Sequence, residues 1–131
     1  MKKYVLLFSV FLLCVFSCNN DDVVNPDLLG KWRLVAQLVD PGDGSGTFQP
    51  INSDMELEFL ADGVLKVSNG DLCALTIPSE GNSTENYDVD ENEINVSCEN
   101  PVTINYEIKE GSLFLYFLCI EGCAQQYRKL F

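Results

Sequence analysis

The sequence contains no histidine. Without it, the chain cannot build a serine–histidine or cysteine–histidine nucleophile pair, or a histidine metal triad. A redox-active Cys-x-x-Cys motif is also absent. Glu56 and Glu58 could imitate an acid–base pair, but they alternate with apolar residues and therefore lie on the wet side of a strand. We expect a protein that is not an enzyme and that needs no cofactor.

Basic residues are scarce as well. Eight Lys and Arg residues oppose 20 Asp and Glu residues, which gives a net charge of −12. Lys2 and Lys3 precede an apolar run, so the chain after residue 17 keeps six basic residues against 20 acids, a side-chain charge of −14. Such a charge repels nucleic acid and anionic headgroups, so we exclude nucleic acid as a partner. A length of 131 residues with 47% apolar residues indicates one domain with a packed core.

One long apolar run occupies residues 4–16, and no second one follows. Its 13 apolar-dominated residues are too few for a comfortable transmembrane helix, which needs about 20. A basic start followed by such a run is typical of a secretory signal. We predict that residues 1–17 are a signal peptide.

The end of this run, Val15-Phe16-Ser17-Cys18, resembles the lipobox of bacterial lipoproteins. A small residue precedes Cys18, whereas Cys14 fits less well because a leucine precedes it. The resemblance implies that Cys18 is lipidated and anchors the protein to a membrane. The acidic stretch 19–22 resembles the export tag of surface lipoproteins in some Gram-negative bacteria. We predict an outer-membrane lipoprotein, either periplasm-facing or on the cell surface.

The remaining chain divides into a polar tether, residues 18–27, and one folded domain, residues 28–131. Short segments of the domain alternate apolar and polar residues, as strands with one dry face do. Turn residues such as Ala61-Asp62-Gly63 separate them. Closing the sheet would remove its exposed edges. We therefore predict an all-β fold, a small up-and-down antiparallel β-barrel of eight or nine strands, with a β-sandwich as the alternative.

Two strands have noteworthy patterns. The strand beginning at Gly30 is predicted to share one face among Trp32, Leu34, Ala36 and Leu38. The segment 113–120 is apolar on both faces. Either a long loop or the amino-terminal segment covers its outer side, or it forms an apolar patch for a partner.

The order of these features resembles that of lipocalin-like domains. Residues 29–35, LGKWRLV, resemble their Gly-x-Trp opening strand, and residues 58–63, EFLADG, resemble an early hairpin. Residues 106–113 resemble their late hairpin. The chain is similar to small bacterial lipocalin-like lipoproteins over residues 28–131. The resemblance implies an eight-stranded barrel and no settled activity.

Four cysteines lie in the domain: Cys73, Cys98, Cys119 and Cys123. An even number in an exported protein indicates disulfides, for which three connectivities exist. Cys119 and Cys123 flank three residues that suit a hairpin loop, so we favour 119–123 together with 73–98. The alternative joins Cys73 or Cys98 to the last hairpin. The separation of Cys73 from Cys98 argues against a zinc site, and we expect no metal.

The glycine-rich loop that follows the first strand is a weaker candidate site. Asp40, Asp43 and Ser45 could offer oxygens to Ca²⁺, but no bidentate glutamate follows at the EF-hand distance. A loop over the barrel mouth is the simpler interpretation.

Two functions stay open at this point. The first is a binding module that holds a small apolar or amphipathic ligand in the barrel mouth; its candidate contacts are Trp32, Phe48, Phe59, Tyr106 and Phe117. The second is a filled barrel that docks on a protein partner of a cell-surface complex through the 40–50 loop or the 113–120 strand. An interior void of about 300 Å³ or more would favour the first, and an outer apolar patch the second.

Overall fold

The computed structural model describes residues 25–73, 80–120 and 122–131. The predicted signal peptide, the lipidation site Cys18 and the tether up to residue 24 lie outside the described residues. In the described part of the chain there is no helix of the length and apolarity that a membrane span requires. Its regular structure consists of strands: β1 Gly30–Val39, β2 Gln49–Pro50, β3 Glu56–Phe59, β4 Val64–Ser68, β5 Asn82–Asp88, β6 Glu93–Val96, β7 Val102–Lys109, β8 Ser112–Phe117 and β9 Cys123–Lys129.

These strands form a closed antiparallel barrel. The sheet runs in the order β2-β1-β3-β4-β5-β6-β7-β8-β9, and β9 pairs with β1 to close it. Eight strands make the wall, while the short β2 adds to the edge of β1 beyond the end of β3. The predicted all-β up-and-down barrel is confirmed, and the β-sandwich alternative is wrong because the last strand pairs with the first.

The two ends of the barrel differ. Tight turns at residues 60–63, 89–92 and 110–111 mark what we call the turn end. In the last of these, Glu110 and Gly111 both have positive φ (52° and 74°), as a two-residue hairpin turn requires. The opposite end, the loop end, carries the connections 40–55, 69–81, 97–101 and 118–122. Longer connections leave room for recognition.

Large side chains pack together inside the barrel. Trp32, Phe59 and Tyr127 are among the largest fully buried side chains. The ring of Phe59 contacts those of Tyr87 and Tyr106, with centroids 5.0 and 6.1 Å apart. Each buried side chain of this size contributes about 1.5–3 kcal/mol. Residues outside the strands contribute too, namely Leu28 before β1 and Leu72 after β4.

Strand β1 contains a bulge at Val35. Leu34 pairs with Tyr127 on β9, but the next pair joins Ala36 to Gln126, so Val35 is an extra residue. Since side chains alternate along a strand, the extra residue exchanges the two faces for the rest of β1.

The bulge overturns the prediction that Trp32, Leu34, Ala36 and Leu38 share one face. Trp32 and Leu34 face the interior, whereas Ala36 and Leu38 pair with outward residues of β9. Gln37 instead pairs with Gln125, which is buried inside the barrel and accepts the Tyr127 hydroxyl at 2.7 Å.

Both disulfides lie at the loop end. The structure joins Cys73 to Cys98 and Cys119 to Cys123, the connectivity that the sequence favours. The details of the last hairpin differ from the prediction. Strand β8 ends at Phe117, which pairs with Cys123, so the connection is the five-residue segment 118–122 rather than a three-residue loop. The disulfide joins Cys119 in this connection to Cys123, the first residue of β9, and the chain from 118 to 120 is not part of the strand.

Candidate functional site

Three large apolar side chains point into solvent at the loop end. Val39 is 62% exposed, Leu118 is 84% exposed and Ile120 is fully exposed. Val39 ends β1 and pairs with Cys123, while the other two belong to the 118–122 connection that the Cys119–Cys123 disulfide closes. We call Val39, Leu118 and Ile120 the apolar tip. Exposed apolar residues that cluster in this way mark interaction sites.

The apolar tip is held in place by covalent and hydrogen-bonded contacts. The Cys119–Cys123 disulfide fixes residues only four positions apart. The amide of Asp40 donates to the carbonyl oxygen of Gly122 at 3.2 Å, which attaches the connection to the end of β1. Gly122 adopts φ +69°, a conformation that favours glycine. The tip is therefore preorganised, which lowers the entropy lost on binding.

The neighbouring loop is organised around one carboxylate. The amides of Gly42, Gly44 and Gly46 all donate to Asp40, at 2.7, 3.0 and 2.9 Å. These bonds, with that from Gly46 the most important, lower the pKa of Asp40. A Cβ atom on Gly46 would lie 2.8–2.9 Å from Asp40, so the loop closes tightly on that residue.

The two carboxylates that the sequence suggested as Ca²⁺ ligands, those of Asp40 and Asp43, accept hydrogen bonds from the backbone of their own loop. Both carboxylate oxygens of Asp40 accept backbone N–H groups, and Asp43 accepts the Ser45 amide at 2.9 Å. Within the described residues, no group of three or more Cys, Asp or Glu side chains is placed to hold a metal ion. The loop instead forms one side of a groove of about 370 Å³, which Ile120 lines together with Asp40, Gly42 and Gly44.

The rest of the 40–50 loop covers the outer wall. Phe48 packs edge-on against Phe114 of β8, with ring centroids 5.5 Å apart. Ala36 and Ala124 are buried although their neighbours across the sheet place them on the outer face. The expectation that a long loop covers part of the 113–120 segment thus holds at Phe114, whereas Tyr116 stays 41% exposed.

The five candidate ligand contacts do not share one cleft. Trp32, Phe59 and Tyr106 are buried in the core. Phe117 is partly buried against the core near the loop end, and Phe48 lies on the outer wall.

Two polar side chains inside the barrel were missed by sequence reasoning. Glu85 is 4% exposed, and its Oε2 accepts the Ser97 amide at 2.8 Å. Gln125 is the other. The signal for Glu85 was its spacing, because it lies two residues before the buried Tyr87 and therefore on the same face of β5.

The geometry thus presents a barrel with a packed apolar core and a preorganised apolar tip at one end. The lipocalin-like resemblance of the sequence stays a prediction. Comparison with protein-family models, with curated proteins and with solved structures gives no match for this chain.

Proposed function

We propose that this protein is a lipid-anchored, non-enzymatic interaction protein of the outer envelope, and that its apolar tip docks on a partner protein. The observation that supports the proposal is that the tip and the residues just before β1 lie at opposite ends of the barrel. The chain enters at the turn end, at residue 25, and the tip occupies the loop end.

The entry point of the chain is firmly fixed. Leu28 is fully buried, and its carbonyl oxygen accepts the indole N–H of Trp32 at 2.8 Å. Lys129 donates to the carbonyl oxygen of Asp27 at 2.7 Å and lies over the Trp32 ring, 5.2 Å from its centroid. From Cys18 to Asn25 the chain can span at most about 25 Å. A lipid on Cys18 would therefore hold the turn end near the membrane and direct the tip away from it.

The chemistry of the tip favours a protein as its partner. Exposed aliphatic side chains on a disulfide-closed loop can enter an apolar pocket and act as anchor residues. An anionic membrane surface is a poor alternative, because the domain has an excess of acids that such a surface repels. Asp40, which lines a groove together with Ile120 of the tip, suits a pocket with a basic rim.

Carriage of an apolar ligand finds less support. Trp32, Phe59 and Tyr106 belong to the packed core, and Phe59 and Tyr106 contact each other. A ligand that used these three residues would have to displace core contacts. This function remains a prediction from the sequence.

A photo-crosslinking amino acid at position 118, in the native host, tests the proposal. We expect one discrete adduct at position 118 that an Ile120→Asp substitution abolishes. Phe131 offers a matched control, since it is 85% exposed and lies next to the end of β9 at the turn end. A crosslinker there should give no such adduct, and Phe131→Asp should leave the adduct at 118 intact. No adduct at 118, or the same adduct from both positions, would refute the docking role.

The anchor requires a separate test. Mass spectrometry of the mature amino terminus should show a lipidated Cys18, and Cys18→Ser should release the protein from the membrane fraction. An unmodified cysteine would refute the anchor without affecting the crosslinking result.

A further inference from the structure

A second surface, formed by β5, β6 and β7, differs in chemistry from the apolar tip. A groove of about 270 Å³ lies where β5, β6 and β7 meet the 97–101 connection, and none of the eight described residues that line it carries a charge. Its main lining residues are Asn86, Asn95, Ser97, Pro101, Val102 and Thr103. Because the chain has 20 acidic residues, the lack of charge in this lining distinguishes the groove from the acidic character of the chain.

The floor of the groove is a row of amides and a hydroxyl across three strands. The register pairs Asn86 with Asn95, and Asn95 with Thr103. Thr103 donates to Asn95 Oδ1 at 3.2 Å, which sets the direction of that amide. Asn86 and Asn95 are both exposed, and each amide can donate two hydrogen bonds and accept others. Pro101 and Val102 add an apolar wall.

Residues 97 and 98, which line the groove beside this row, are held by three contacts. Glu85 holds the Ser97 amide from inside the barrel, the Cys98 amide donates to the Val96 carbonyl oxygen at 3.1 Å, and a disulfide joins Cys98 to Cys73. A groove built in this way keeps its shape before a ligand arrives, which is what a polar recognition site needs.

We infer that this groove binds a short segment of a neutral glycan. Sugar hydroxyls both donate and accept hydrogen bonds, as the amide row does, while the C–H faces of a sugar ring suit the Pro101–Val102 wall. An anionic ligand would be repelled by the net charge of the chain. A metal cation would find no carboxylate among the described residues of the lining. The groove volume of about 270 Å³ lies just below the range of about 300–1,000 Å³ typical of small-molecule sites, so the groove fits a short segment only.

Nuclear magnetic resonance titration of the soluble domain, residues 18–131, with Cys18→Ser and both disulfides formed, tests this inference. The probes are neutral hexasaccharides of four kinds (an α-glucan, a β-glucan, a xylan and a mannan) at millimolar concentration. We expect at least one to shift the side-chain amide signals of Asn86 and Asn95. An acidic oligosaccharide, such as an oligogalacturonate, should not shift them.

Substitutions inside and outside the groove test whether the glycan binds there. Asn86→Ala and Asn95→Ala should each weaken binding by about tenfold, the loss of roughly one good hydrogen-bonded contact. Asn95→Asp keeps the shape but removes the donors, and it should weaken binding similarly. Asn105 is a matched control, because it is an exposed amide on β7 that does not line the groove. Asn105→Ala should bind normally.

Three results would overturn the inference. These are no shift with any of the four glycans, equal weakening by Asn105→Ala, or displacement of the glycan by an unstructured neutral peptide that binds the same amides more tightly. The inference is independent of the docking role, because the groove and the apolar tip share no residue.

Discussion

The indole Nε1 of Trp32 donates a hydrogen bond of 2.8 Å to the carbonyl oxygen of Leu28, and both side chains are buried. This bond fastens the segment before the first strand to the turn end of the barrel. Under the proposed anchor at Cys18, this contact would fix the point at which the tether joins the domain.

Truncation of Leu28 should loosen this attachment. We expect Leu28→Ala to lower the free energy of unfolding by about 2–4 kcal/mol, because it leaves a cavity in the core. Urea denaturation followed by the emission of Trp32, the single tryptophan, measures the loss. Leu118→Ala is a matched control, since that leucine is exposed, and it should change stability by less than about 0.5 kcal/mol. Equal effects of the two substitutions would contradict the buried position of Leu28.

Removing each disulfide in turn should separate the effect on stability from the effect on docking. Replacing Cys73 and Cys98 by serine should lower the free energy of unfolding by about 3 kcal/mol, because that bridge closes a loop between residues 25 positions apart. Replacing Cys119 and Cys123 should lower it less, by about 2 kcal/mol on the same model. Only the second pair holds the apolar tip, so only its loss should abolish the crosslinked adduct at position 118 in protein that is still folded. Normal docking without the Cys119–Cys123 bridge would show that preorganisation of the tip is unimportant.

The Asp40 carboxylate should order the adjacent loop. We expect Asp40→Ala to change the amide signals of Gly42, Gly44 and Gly46 and to speed their hydrogen exchange, because their shared acceptor is lost. Asp43→Ala should affect mainly the amide signal of Ser45.

The amide signals of the same three glycines should also report how the Asp40 carboxylate responds to pH. The pKa of Asp40 is lower in the folded protein, so its contribution is present above the ordinary aspartate pKa of about 3.9 and is lost as the pH falls through the lower folded value. Glycine signals that titrate at or above the ordinary value would contradict this role.

Buried tyrosines should make the protein sensitive to alkali. Burial raises the pKa of Tyr106 to about 12, and it raises the pKa of Tyr127 as well. The unfolded chain ionises near pH 10, so between about pH 10 and 12 it binds fewer protons than the folded protein. The free energy of unfolding should therefore fall as the pH rises through that range. Tyr106→Phe should reduce this slope, and tyrosinate absorbance measures the titration directly. Ordinary titration of all tyrosines in the folded protein would refute their burial.

Much of the fold was predictable from local patterns. Alternation in segments such as Glu93–Val96 and Val102–Lys109, separated by turn residues, indicated the strands, and closure followed from the need to remove edges. The disulfide connectivity followed from the close spacing of Cys119 and Cys123, which left one partner for each remaining cysteine.

The candidate site was harder to predict, because it depends on contacts between distant residues. Leu118 and Ile120 have the composition of a strand, but β9 pairs with β8 only as far as Phe117, and the residues beyond it lie in solvent. The position of Ala36 depends on the bulge. The sequence of β1 does not reveal the bulge, because the alternation of apolar residues continues past Val35. The amide groove likewise arises from the register of three strands.

The bulge at Val35 also determines which residues of the second half of β1 face outward and which face inward. A β1 without the bulge would turn Ala36 and Leu38 inward and expel Gln37, and the uniform apolar spacing of the strand would suit that alternative register. One thing that opposes it is the burial of Ala36 and Ala124 on the outer wall, where Phe48 packs on Phe114 and β2 pairs with β1. Lifting residues 48–50 from the wall would remove this advantage and allow the second half of β1 to slide by one position. The outer cover therefore favours the bulged register of the strand that closes the barrel.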